Sequence, residues 1–175
     1  MAVREVLKMG APLLREVARP VERFDAALAS LVTDMQDTMH ALSGAGIAAP
    51  QIGVGLRVVI FELQDNPRYP QISSIPFTVL INPRLTFLAD EEADGWEGCL
   101  SVPGMRGLVP RRTRLHYEGY DLQGVHFGRT VEGFHARVVQ HEVDHLDGVL
   151  YPQRIRDLRQ FGFEDALVGM TPMPD

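Results

Sequence analysis

The segment "VVQHEVDHLDG" (138–148) constrains this chain more than any other. In an α-helix, residues four apart lie on one face. His141 and His145 therefore aim two imidazoles at one point, with Glu142 next to the first. This is the HExxH arrangement, two metal ligands flanking a carboxylate that can move protons. Val138 lies on the same face, so the pair emerges from an apolar stripe. Asp147-Gly148 marks the end of the helix. The pattern also arises by chance in long sequences, so the rest of the chain has to say what completes the site.

The chain has 175 residues, 45% of them apolar and 23% charged, which suits one soluble globular domain spanning 1–175. No apolar run approaches the roughly 18 residues of a membrane span. At the start, Arg4, Glu5, Lys8, Arg15 and Glu16 interrupt the apolar residues, which argues against a secretory leader or a transit peptide. A cytoplasmic location, without a membrane partner, is expected. The formal net charge of −6 argues against DNA or other non-specific nucleic-acid binding, which needs a basic face. A monomer is expected.

Residues 22–42 read as a helix. Phe24, Leu28, Leu31, Met35, Met39 and Leu42 recur at spacings of three and four, and Gly44 stands where a glycine would stop it. "LRVVIFEL" (56–63) and "FTVLINP" (77–83) are β-branched-rich strands, separated by a loop with three prolines. Residues 114–134 alternate around Gly124 and predict a hairpin. A last helix is expected over 153–168. Helices towards both ends and strands between them indicate an α+β fold. Short antiparallel sheets would pack around a central metal-binding HExxH helix, with an N-terminal and a C-terminal helix.

A catalytic metal site needs a third protein ligand and one open position. "HEVDHLDGVLY" follows the HExxHxxGxxH pattern through Gly148, but Tyr151 occupies the last histidine position. Glu164 lies at nearly the distance of a downstream glutamate ligand, which would make a zinc metallopeptidase from His141, His145 and Glu164. Cys99, the chain's single cysteine, forms no internal disulfide. A lone cysteine is usually a small buried hydrophobe, but its thiolate is a strong ligand for a borderline or soft divalent ion.

Three motifs in one order resemble the peptide deformylases: "GAGIAAPQIG" (44–53), "EGCLS" (97–101) and "QHEVDH" (140–145). The likeness runs over nearly the whole chain. It implies a metal-dependent hydrolase that removes the N-formyl group from the N-terminal formyl-methionine of newly made proteins, releasing formate. By that resemblance Cys99, His141 and His145 bind one divalent ion, typically Fe2+, with Zn2+ or Ni2+ able to occupy the site. Glu142 becomes the general acid/base, and Gln51 with the backbone N–H of Leu100 holds the oxyanion. Glu97, Phe134 and Val138 fall near the methionine slot, with Arg106 fixing Glu97. Gly44 and Gly46 lack a Cβ, so a peptide could approach there as an added strand. Partners would be formyl-methionyl nascent peptides. Transient docking on the ribosome is plausible, with Arg154, Arg156 and Arg159 able to meet its RNA.

The residue types suit that chemistry. Water is a poor nucleophile at neutral pH, and a protein-bound divalent ion can lower its pKa from about 15.7 to about 7. At about 1.36 kcal/mol per unit this shift is on the order of 12 kcal/mol. Activated water would then attack the formyl carbonyl. A donor aimed at the developing oxyanion adds about 2.7–4 kcal/mol.

Overall fold

The computed structural model describes residues 2–64 and 74–167. Among the described residues, eight strands form two antiparallel sheets, accompanied by two α-helices. The helix expected at 22–42 is α1, Ala26–Ala41. Asp25 caps it, its Oδ1 accepting from the N–H groups of Ala27 (3.1 Å) and Leu28 (3.2 Å). Such a cap is worth about 1 kcal/mol and places Phe24 outside the helix. At the other end the N–H of Ser43 bonds His40 O and that of Gly44 bonds Met39 O. The left-handed residue is Ser43, φ 56°, so Gly44 is one position beyond the turn where glycine was expected.

The first sheet runs β1-β2-β3-β6-β7. Its strands are β1 (Gly46–Ala48), β2 (Val58–Leu63), β3 (Ile75–Phe87), β6 (Arg114–Tyr120) and β7 (His126–Glu132). β2 is apolar on both faces because both are covered. Val59, Phe61 and Leu63 pack with Val139, Val143 and Leu146 of α2 (Gly133–Leu146). Val58 and Ile60 face Leu28, Val32, Met35 and Met39 of α1. β6 and β7 are the expected hairpin, and Gly124 in its turn has φ 76°. Most of the proline-bearing loop between β2 and β3 lies outside the described residues.

The second sheet has the order β4-β5-β8: β4 (Glu92–Cys99), β5 (Val102–Arg112) and β8 (Phe161–Phe163). β8 corrects the C-terminal helix expected over 153–168. Through residue 167 that segment is short 3-10 turns at Tyr151–Arg154 and Leu158–Gln160, followed by the strand. Asp157 accepts from the N–H of Arg159 and makes a local turn, and such bonds compete with helix. Phe161 and Phe163 then pair with Gly107 and Met105 of β5. α2 ends at Leu146 with Asp147 as its C-cap, and Gly148 follows with φ 72°. A Cβ on Gly148 would lie 2.6 Å from the Arg15 carbonyl, so glycine is required there on two counts.

Candidate active site

Three separate segments meet at one point. The end of β4 presents Cys99, α2 presents His141 and His145, and the short turn Ala49–Ile52 after β1 presents Gln51. The Sγ of Cys99 and one ring nitrogen from each histidine all lie within 4.8 Å of one another. Cys99 Sγ is 3.4 Å from His145 Nε2. The backbone N–H of Ser101 (3.4 Å) and Nε2 of Gln51 (3.5 Å) both point at the sulfur. Gln51 is buried, with Oε1 accepting from Ala48 N–H at 2.8 Å and Nε2 also reaching Ser101 Oγ at 3.1 Å. Its amide is thus held from both ends.

Glu97 organises the ring behind these groups. One carboxylate oxygen accepts from Arg111 Nε and Arg137 Nη1, each at 2.9 Å. The other accepts from Arg111 Nη2 at 2.9 Å and meets His141 Nδ1 at 2.8 Å. Fixing Nδ1 in this way leaves His141 Nε2 for a ligand and sets the ring's orientation. Arg111 extends the chain to Asp144 on α2, at 2.6 Å. Although burial opposes ionisation of Glu97, the Arg111 charge and its hydrogen bonds outweigh it and hold the carboxyl far below the usual range.

These contacts revise one expected role. The guanidinium groups that grip Glu97 are Arg111 and Arg137, while Arg106 donates to Glu164 at 3.4 Å. Strand parity explains the difference: Glu97 pairs with Gly107, so Val109 and Arg111 share its face of the sheet and Arg106 takes the other. Period-two counting from Glu97 would have selected Arg111. Arg137 had a weaker signal, the position four before His141 on one helical face. It also needs Gly95, where a Cβ would lie 2.6 Å from the Arg137 guanidinium carbon.

Glu142 is buried, and its Oε2 has no hydrogen-bond partner among the described residues. Burial pushes its carboxyl up to about 7, well above an ordinary glutamate; the His141 charge opposes that rise and the Glu97 charge adds to it. Its carboxylate lies against Gly46. A Cβ there would come 2.7 Å from Glu142 Cδ and closer still to Oε1. The first chain segment to approach Gly46 is therefore Glu142 itself.

A cavity of about 330 Å³ opens onto this cluster. Gly44, Gly46, Leu100, Phe134, Val138 and Arg106 all contribute to its walls, together with Trp96 and Glu97. Glu164 stands in the same wall with a side chain 58% exposed and paired to Arg106, and it is not part of the Cys99–His141–His145 group. The peptidase ligand set of His141, His145 and Glu164 is therefore not favoured. Arg154, Arg156 and Arg159 are each ion-paired within the chain, to Asp144, Glu92 and Asp157.

The donor set fits a metal ion. One cysteine sulfur and two imidazoles converge, a donor set suited to a borderline divalent cation. His145 Nδ1 is buried with no hydrogen-bond partner among the described residues. Burial works against a charged His141, yet its contacts with Cys99 and then Glu97 favour positive charge there. Burial and the adjacent His141 keep His145 below the ordinary histidine range, in the neutral form that ligates.

Comparison with known proteins agrees with this geometry. Residues 3–161 match the family model described as polypeptide deformylase. A peptide deformylase 1 of Nitrosomonas europaea is 62% identical over 175 residues, covering 99% of each chain. A peptide deformylase 2 of Ralstonia nicotianae is 57% identical over 171 residues, 97% of each chain. Among solved structures, a class I type b peptide deformylase of Acinetobacter baumannii bound to Met-Ala-Ser superposes with a TM-score of 0.84 at 40% identity. That match covers 88% of this chain and 99% of the other. Among the described residues, no helix is long and apolar enough to cross a membrane.

Proposed function

Because this chain belongs to the polypeptide deformylase family, whose enzymes remove the N-formyl group from nascent peptides, we propose the following assignment of its residues. Residues 1–175 act as one catalytic domain on formyl-methionyl peptides. Cys99, His141 and His145 hold one divalent ion, ferrous iron in the working enzyme. When bound, that ion supplies the Lewis acidity that makes water a competent nucleophile near neutral pH. The observation that carries this reading is the meeting of Cys99, His141 and His145 within 4.8 Å, with Cys99 and His141 in the wall of a cavity.

The chain's own residues do the rest. Glu142 accepts a proton from the attacking water and delivers it to the departing amine, so that formate and a free α-amine leave. The Gln51 amide and the Leu100 N–H face the carbonyl oxygen as it gains negative charge. Phe134 and Val138 give an apolar slot for the methionine side chain. Glu97 acts from behind, by orienting His141. The substrate backbone lies along β1, the edge strand of the first sheet, with Gly44 and Gly46 keeping that edge low. Nascent chains reach the enzyme during transient docking on the ribosome, where Arg154, Arg156 and Arg159 are the exposed candidates.

The test is formate release from formyl-Met-Ala by anaerobically purified protein, with metal analysis on the same sample. Cys99→Ala should lose both metal and activity, and Glu164→Ala should keep its metal. The opposite pattern would restore the zinc peptidase reading.

A further inference from the structure

The N-terminal segment carries none of the three motifs, yet its backbone is bonded to each of the segments around them. The N–H of Leu7 donates to Gln51 O and that of Met9 to Ser101 O, each at 2.8 Å. The N–H of Ala18 donates to Leu146 O, next to His145, also at 2.8 Å. Side-chain packing does not explain the Met9 contact, because Lys8, Met9 and Gly10 are all exposed. The backbone there is nevertheless well defined. Ala11 N–H bonds Lys8 O at 3.0 Å and Gly10 has φ 110°, the arrangement of a type II turn with Met9 at its second position.

Two of these bonds close a ring. Gln51 Nε2 donates to Ser101 Oγ at 3.1 Å. The carbonyls of Gln51 and Ser101 are thus held by residues 7–9, while their side chains are joined to each other. Ser101 is fully buried, and its own N–H points at Cys99 Sγ. With Leu100 it forms the tight turn between β4 and β5, where Cys99 pairs with Val102. The two groups assigned to the carbonyl oxygen, the Gln51 amide and the Leu100 N–H, come from distant parts of the chain, and this ring fixes one against the other. We propose that the backbone of Leu7–Met9 is a positioning element for the oxyanion site, holding the Gln51 turn and the Leu100–Ser101 turn in register. This inference rests on the deformylase reading of the site. Leu7 and Met9 do not line the cavity, so they act through Gln51 and Ser101.

Met9→Pro tests this directly. It deletes the N–H that holds Ser101 O, and proline is favoured at the second position of a type II turn, so the turn itself should survive. With metal-loaded enzyme and formyl-Met-Ala-Ser, kcat should fall about ten-fold, less than the roughly 100- to 1,000-fold that follows outright loss of an oxyanion donor. Metal content should stay at the wild-type level, as should affinity for the product Met-Ala-Ser, which has no formyl oxygen to stabilise. Affinity for a phosphonamidate analogue of the tetrahedral intermediate should fall by the same factor as kcat/KM. Met9→Leu keeps the N–H and should match wild type in every one of these measurements. Where Met9→Pro does not fold, the α-hydroxy analogue of methionine at position 9 replaces the N–H by an ester oxygen with the side chain unaltered, and the same losses are expected. Unchanged kcat in the protein lacking this N–H overturns the proposal and leaves the deformylase reading intact. The same holds for a loss of affinity shared equally by the product and the analogue. No formate from the metal-loaded wild type overturns both the proposal and that reading.

Discussion

Replacing Gly46 by alanine adds one methyl group, and the structure says where it goes. The new Cβ would sit 2.7 Å from Glu142 Cδ and 2.8 Å from Cγ, with Oε1 nearer still. Ordinary contact begins at about 3.4 Å, so the carboxylate has to retreat by at least about 0.7 Å. The obstacle is a side chain rather than backbone, so the fold should survive with a loss of about 1–3 kcal/mol from overpacking. Catalysis has less room to adjust: a misplacement of about 1 Å in a reacting group costs on the order of 100-fold in rate. Gly46→Ala should therefore keep its metal, since the three atoms nearest the new methyl all belong to Glu142, and lose about 100-fold in kcat for formate release. A double-mutant cycle locates the cause. In a Glu142→Ala background, with the carboxylate gone, Gly46→Ala should cost nothing further. Full kcat in the single variant, or an undiminished additional loss in the double variant, would refute the argument.

Glu97→Gln keeps the shape but removes the charge that Arg111, Arg137 and His141 share. It should weaken metal affinity by about 10–100-fold, read by competition with a chelator; unchanged affinity would show that His141 needs no such support. His135, on α2, gives a pH effect away from the metal. Its Nε2 is buried, with no hydrogen-bond partner among the described residues, and its ring is 5.6 Å from that of Phe61. Burial, then the Arg129 charge, lowers its pKa from 6.5 to about 4. Between those values the unfolded chain binds a proton that the folded chain refuses, so stability is lost as pH falls through that window. With solvent screening of this partly buried ring the loss is on the order of 1–2 kcal/mol. Urea midpoints at pH 7 and pH 5 should differ more in wild type than in His135→Leu, and equal differences would refute the assignment. A thiolate beside ferrous iron is prone to oxidation, so iron-loaded enzyme should lose activity in air faster than nickel-loaded enzyme; equal half-lives would count against iron.

The parts of the molecule that a sequence displays well are those governed by local periodicity. α1, α2, the β6–β7 hairpin and β2 follow from spacing and residue type, because each buries a regular stripe or face. β4 and β5 are poorly marked: Gly95, Gly98, Gly104 and Gly107, with Pro103 and Pro110, depress the strand signal, and the glycines at 95 and 107 are there for the space they leave beside Arg137 and Ile155. The C-terminal segment misleads in the other direction. Arg154 to Gln160 is rich in helix formers, but the local turn at Asp157 and an available edge on β5 outweigh propensity. Within the site, three short motifs announce the Cys99–His141–His145 group and its neighbours Gln51 and Glu142. The grip on Glu97 is not legible in the same way, because it is assembled from strand parity in one sheet and helical spacing in α2, two periods that meet only in three dimensions.

β1 is three residues long and lies at the border of its sheet, hydrogen-bonded on one side to β2. An open backbone border of this kind takes any extended chain, including another copy of the same protein, and is a standing route to aggregation. A longer strand would bind peptides more firmly and would also recruit unwanted neighbours. Shortness, and a position in the wall of a cleft rather than on an outer rim, limit what can be admitted to the free N-terminal end of a single chain. On the proposed function, the same short border that offers a backbone to a substrate peptide thus also limits pairing with other extended chains.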